Sequence, residues 1–301
     1  MSKILTLTTN LLAETTLEYP TWKKGRTHRA TNQSFQVGGK GINVVKMLAR
    51  LNAPGTALCF PGGNSGRHCE QWLGDNGIDF QPFPTPEETR TGTVVRVPGE
   101  PETTFLGLDC VIDPESVNAC CDALAAQPPG TRLALCGIIQ NWAHPVWDRL
   151  REELRVWNGH QMLAADTYGP PLRWMAELGA SMIKLNRVEF STLLGEEELA
   201  PAELPEALQT AMESYAVNQW VVSDGGADIW YIERGSDPRS ITPPKINEVS
   251  PTGSGDVLFA GILDGVLNQN FSLTRAIELG ARLASASAAR PGIADFPDSE
   301  I

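Results

Sequence analysis

The chain has 301 residues, 42% of them apolar, and a formal net charge of −12. Such an acidic balance argues against a nucleic-acid binder, which needs a basic face. It leaves room for a phosphorylated ligand held by backbone N–H groups and a few local cations. No apolar run approaches the roughly 20 residues of a membrane helix, so no membrane partner is expected. Met1-Ser2-Lys3 runs straight into the short segment Ile4-Leu5-Thr6-Leu7, so no leader is expected and a cytoplasmic location is. The six cysteines (Cys59, Cys69, Cys110, Cys120, Cys121 and Cys136) include no CxxC pair, and the four histidines show no ligand spacing. Free thiols are therefore expected, not a disulfide framework or a zinc site.

In chain order, the apolar run at 4–7 predicts a strand. Residues 22–37 alternate without helical periodicity. Residues 42–51 carry Ile42, Val45, Leu48 and Ala49 at helical spacing, and the turn Asn52-Ala53-Pro54-Gly55 closes that helix. A strand at 57–60 leads into a helical stretch near 66–73. Residues 91–108 repeat the Thr/Val/Arg-rich alternation of 22–37. Together these two segments predict antiparallel strands of a small sheet outside the core, a lid. Short buried strands follow at 133–136, 162–165 and 182–185, each before a turn or helix, and another at 220–223. The acidic stretch 195–205 reads as a solvated loop and helix start. This alternation predicts an α/β fold with a mostly parallel sheet covered on both faces, in one domain spanning 1–301. In such sheets ligands bind outside the carboxyl ends of the strands.

Three motifs carry chemistry. Pro251-Thr252-Gly253-Ser254-Gly255-Asp256 precedes an apolar run at helical spacing. It places free N–H groups of a helix N-terminus beside a carboxylate, suited to stabilising a transferring phosphate and accepting a hydroxyl proton; the same pattern also suits a plain capping Asp. Val37-Gly38-Gly39-Lys40-Gly41-Ile42-Asn43 lets a ligand approach the backbone at a helix start, or is an ordinary turn. Its spacing is not that of a P-loop. In Lys184-Leu185-Asn186-Arg187-Val188-Glu189, Asn186 and Glu189 share a helix face and could order a Mg²⁺ water shell, or simply cap the helix. No GxGxxG follows the first strand and no GxSxG elbow occurs, which disfavours a dinucleotide oxidoreductase and an α/β-hydrolase.

Together these motifs resemble the PfkB, or ribokinase-like, family of carbohydrate kinases. Gly38–Asn43 is similar to the family's first signature, continued by Gly62-Gly63 and Gly66. Residues 250–261 are similar to the second, with Ser254 where Ala is usual. Residues 184–189 match KPNxxE, with Leu185 for Pro, and Val222-Ser223-Asp224-Gly225 matches VSxG. The match preserves order along nearly the whole chain. Lys40, Arg90 in Thr89-Arg90-Thr91 and the opening Thr-Leu strand look most like the hexose-phosphate branch, which includes 1-phosphofructokinase.

The resemblance implies a ribokinase-like three-layer α/β/α core and ATP-dependent transfer of the γ-phosphoryl group to a hydroxyl of a hexose phosphate. It makes Asp256 the base and Gly253, Ser254 and Gly255 the anion hole. Lys184, Asn186, Ser223 and Gly225 would serve ATP, with Asn186 and Glu189 organising Mg²⁺ through water. Gly38, Gly39 and Asn43 would touch the sugar, and Lys40 and Arg90 its phosphate. Arg26 falls where a lid residue can reach a neighbouring subunit's site, which implies a homodimer through the lid.

Three places depart from the family pattern. The opening Asn-Pro-Ala-x-Asp, whose Asp binds sugar hydroxyls, becomes Asn10-Leu11-Leu12-Ala13-Glu14. The Ser-Gly-Ser-Leu-Pro turn becomes Cys136-Gly137-Ile138-Ile139-Gln140-Asn141. Asp228 replaces a glycine after VSxG. A kinase of an unphosphorylated sugar or nucleoside, or a non-catalytic sugar sensor on this fold, therefore stays open beside the hexose-phosphate reading.

Overall fold

The computed structural model describes residues 3–301; Met1 and Ser2, part of the opening segment read above, lie outside the described residues. The chain opens with β1 (Ile4–Thr8), β2 (Leu12–Glu18) and β3 (Asn32–Gly38), followed by α1 (Lys40–Arg50), β4 (Gly55–Cys59), α2 (Gly63–Asp75) and β5 (Phe80–Pro82). Then come β6 (Arg90–Arg96), β7 (Thr103–Leu106), α3 (Pro114–Ala125), β8 (Arg132–Cys136), α4 (Asp148–His160), β9 (Leu163–Asp166), α5 (Pro170–Leu178), β10 (Met182–Asn186) and α6 (Arg187–Leu194). The last elements are α7 (Leu204–Ser214), β11 (Gln219–Ser223), β12 (Ile229–Glu233), β13 (Arg239–Ile241), α8 (Ser254–Leu267) and α9 (Leu273–Ala288).

The large sheet runs β13-β12-β11-β10-β9-β8-β1-β4-β5, parallel from β11 to β5, with β12 and β13 turned antiparallel at one edge. Its strands read as continuous apolar runs because both faces are covered. Alternate side chains go to opposite layers. Leu5, Leu133 and Leu135 join the core under α3 to α7, while Ile4, Ala134 and Cys136 join the one under α1, α8 and α9. The expected three-layer α/β/α core is present. All six cysteines are free thiols. Among the described residues no helix is long and apolar enough to cross a membrane.

The second sheet, ordered β3-β2-β6-β7, is the expected small sheet outside the core, with two corrections. One of its two inner strands is Leu12–Glu18, which the alternation at 22–37 did not reveal, and residues 19–31 form no strand. The β2–β6 pair is parallel and the outer pairs antiparallel. Leu12 and Ala13 are buried, and Leu11 and Ala13 pack with Ile42 and Val45 of α1. That packing joins β2, and with it the small sheet, to the core.

Candidate active site

The parallel strands β8, β9 and β10 end at one place, and charged side chains converge there. Register sets Asp166, the last residue of β9, beside Lys184 on β10. The Lys184 ammonium donates to Asp166 Oδ2 at 2.8 Å, and Lys40, opening α1, donates to Oδ1 at 2.5 Å. Lys40 also lies 3.3 Å from Glu189 Oε1. Asp166 is fully buried. Burial alone would raise its carboxyl, but Lys184 and Lys40 outweigh that and hold it below the usual carboxylate range. Burial would lower the Lys40 ammonium, and Asp166, Glu189 and Asp256 keep it above its ordinary value instead.

Asp256 lies in the first turn of α8, 6% exposed. Gly253 starts that helix in the left-handed region (φ 75°), where a side chain would be strained. The turn folds on itself: Ser254 N–H donates to Pro251 O and Asp256 N–H to Gly253 O. Among the described residues no group accepts from the Gly255 N–H. A Cβ at Gly255 would meet Lys184 Nζ at 2.8 Å, so the positive end of the helix faces a lysine. One turn into α1, Asn43 donates from Nδ2 to Asp256 Oδ2 at 2.7 Å. The Asn43 Oδ1 atom is buried and meets no donor among the described residues. Burial, then the charge of Asp166, pushes the Asp256 carboxyl up from 3.8 to about 6, against the opposing pull of Lys40, Asn43 and Lys184.

A cleft of about 380 Å³ opens on this group. It is lined by Lys40, Lys184, Asn186, Ser223, Gly225 and the 253–256 turn, with apolar walls from α8 and α9. The register Asn186↔Ser223 brings the two strand-end motifs together. Asn186 and Glu189 form a reciprocal cap on α6: Glu189 N–H donates to Asn186 Oδ1 and Asn186 N–H to Glu189 Oε2. Asp228 accepts from Ser240 and Thr242, so the residue replacing a glycine ties β12 to the strand edge.

The sugar-side expectations fare differently. Lys40 lines the cleft with Lys184 and Asn186, which Arg90 does not. Its ammonium contacts the carboxylates of Asp166 and Glu189. Glu14 is buried and accepts from Gln36 across the β2–β3 pair. At Gly38 a Cβ would press on Leu12 Cδ2 at 3.2 Å, and at Gly39 (φ 123°) it would meet Thr8 Cγ2 at 2.8 Å, so packing and backbone conformation already require glycine at 39. Arg90 opens β6 and pairs with Asp109 at 3.1 Å. The replaced turn, with Asn141 at φ 49°, lines a second cleft of about 440 Å³ together with Asn10, Asp109 and His144.

Sequence reasoning missed Asp166, although it directly follows a predicted strand at the ligand-binding edge. It also missed Lys46, one turn after Asn43, which shares its surroundings with Glu14, Asp295 and Asp256; burial there lowers its ammonium.

A family model for pfkB family carbohydrate kinases matches residues 9–299. The chain belongs to the pfkB family of carbohydrate kinases. A relative named 1-phosphofructokinase, from Borreliella burgdorferi, is 27% identical over 98% of this chain and 94% of its own length. Among solved structures, phosphofructokinase-2 from Escherichia coli in complex with fructose-6-phosphate is similar with a TM-score of 0.86 at 22% identity, over 96% of this chain and 94% of that one. Ribokinase from Thermotoga maritima is similar at 0.75 and 14% identity, over 100% and 96%. The fold is ribokinase-like, and a pfkB kinase uses ATP.

Proposed function

We propose that this pfkB kinase is a cytoplasmic hexose-phosphate kinase of the 1-phosphofructokinase type, the whole chain forming one catalytic unit with its lid. The observation that carries the reading is Asp256. It is a buried carboxylate at a helix N-terminus, oriented by Asn43 and raised to about 6. A base of that strength is mostly ionised at neutral pH yet takes up a proton readily, as a general base must.

The sugar hydroxyl lies against Asp256 and gives it its proton. The unpartnered Asn43 Oδ1 accepts a second sugar hydroxyl. The Gly255 N–H, Lys184 and Lys40 face the phosphoryl group and stabilise the charge that develops on it. Ser223 and Gly225 line the nucleotide end of the cleft.

Among the described residues no cluster of three or more His, Cys, Asp or Glu could cage a metal ion. That fits Mg²⁺, which keeps its waters and needs one or two carboxylates plus substrate phosphates. Glu189 and Asn186 would hold it through water, and when bound it supplies charge neutralisation at the phosphates.

The lid presents Trp22, Phe105 and Leu106 about half exposed. Trp22, Phe105 and Arg26 border a hollow of about 250 Å³. We assign this face to a second copy of the chain. A coupled ADP-release screen over fructose 1-phosphate, fructose 6-phosphate, tagatose 6-phosphate and the free sugars tests the activity. Turnover confined to free sugars would refute the hexose-phosphate assignment.

A further inference from the structure

The cleft bordered by Asn10 and Asn141 has no lysine or arginine in its lining. The guanidinium beside it is Arg90, and an aspartate already holds it. Asp109 Oδ1 accepts from Arg90 Nη1 at 3.1 Å and from Asn10 Nδ2 at 2.8 Å. Asn10 is 8% exposed, and its own Oδ1 is buried without a partner among the described residues. The Arg90 Nε is likewise buried and unpartnered, so this arginine has donor capacity to spare. Asp109 belongs to the connection between β7 and α3, whose Leu108 is 93% and Val111 69% exposed. The connection is tied down on either side, by Gly107 N–H donating to Thr91 O and Thr85 Oγ1 to Val111 O, while the Asp109 side chain between them is 36% exposed.

A phosphate dianion and a carboxylate compete for the same guanidinium, and side by side they repel. Glu14, the acid of the expected sugar motif, accepts from Gln36. We propose that Asp109 is a specificity-determining residue of the sugar site: it holds the Arg90 guanidinium against an anion, and a phosphorylated sugar engages Arg90 in competition with it. Asp109 thus sets how strongly the site binds the phosphate end of its substrate. The proposal rests on the hexose-phosphate reading for the identity of that anion.

The test titrates inorganic phosphate by calorimetry into the full-length wild type, Asp109→Asn, Asp109→Ser and Asp109→Asn/Arg90→Ala, and measures KM for the sugar phosphate the screen identifies. Both single variants are expected to bind phosphate about tenfold more tightly and to lower KM for the sugar phosphate by a similar factor, the size expected when one anion is removed from beside an arginine. KM for ATP should not follow, and the double variant should lose the gain. Unchanged phosphate affinity overturns the proposal. So does weaker binding of phosphorylated and free sugars alike, which would make Asp109 a hydroxyl ligand, and so does a gain that survives loss of Arg90. If the wild type phosphorylates no sugar phosphate, the functional reading fails on that result, while the phosphate titration still decides the role of Asp109.

Discussion

Replacing Asp256 by Asn separates charge from shape at the centre of the site. The amide can still accept from Asn43, so the pocket is retained while the base is lost. General-base catalysis contributes about 10²–10⁴-fold, and kcat should fall by that factor with ATP binding near normal. In the wild type, kcat/KM should fall off on the acid side near the Asp256 value of about 6, and the variant's residual rate should lack that limb. Stability should move the opposite way. A carboxyl raised in the fold stabilises below its unfolded value, 3.8, and that contribution is lost as pH rises through about 6. Asn never carries the charge, so the variant should be the more stable protein above that window, by up to roughly 3 kcal/mol. Below the window the two should converge. Urea unfolding at about pH 8 and about pH 4, beside stopped-time assays of turnover, gives both numbers. A variant that keeps over half the wild-type kcat refutes Asp256 as base. One that is no more stable at the higher pH refutes the account of a buried, unfavourably ionised carboxylate.

Glu189→Gln should raise the Mg²⁺ concentration needed for half-maximal rate more than it raises KM for the sugar; identical Mg²⁺ midpoints would leave Glu189 a helix cap alone. Arg90→Ala should raise KM for a sugar phosphate by about one to two orders of magnitude, since a hydrogen bond to a charged group is worth roughly 1.5–3 kcal/mol. KM for ATP should barely change, and equal losses for free and phosphorylated sugars would remove Arg90 from the phosphate. Asp166→Asn takes away a negative neighbour of Asp256 and leaves two lysines seeking an anion, so both effects favour the ionised base. The acid limb of its pH–rate profile should shift to lower pH, and a shift upward would contradict the electrostatics.

The core was legible in the sequence because parallel strands buried on both faces need continuous apolar runs, as at 133–136 and 182–185. The lid was half legible. Alternation marked 91–108, but β2 carries Leu12, Ala13 and Leu17 among Glu and Thr in an order that reads as a motif, and one of its two partners lies far away in sequence at Arg90–Arg96. Strand pairing of that kind is a tertiary fact. The glycine turns were visible as motifs, but not their reason. Gly41 is needed because a Cβ there would collide with Thr6 and Thr8 of β1, which is packing and not ligand approach. The resemblance put Lys40 at the sugar's phosphate; the sequence could not show that its ammonium also reaches Asp166 of β9 and Glu189 of α6. Asp166 lacked any motif beyond its place after a predicted strand, and the β9–β10 register sets it beside Lys184.

That register also explains how a chain of net charge −12 can receive a polyphosphate. Three positive elements meet at one point: Lys40, Lys184 and the N-terminus of α8 at Gly255. Left alone they would repel, and Asp166 holds the two lysines together by giving each one oxygen. Asp166 therefore remains an anion, while Asp256, granted only an amide, is driven toward neutrality by burial and by its neighbour. Two carboxylates in one site with affinities for the proton pushed apart is the arrangement that divides roles in acid–base enzymes. The low one fixes the cations in place. The raised one is free to exchange a proton. In the proposed reaction the transferring phosphoryl group would meet Lys40, Lys184 and the Gly255 N–H at the end of the helix that carries Asp256.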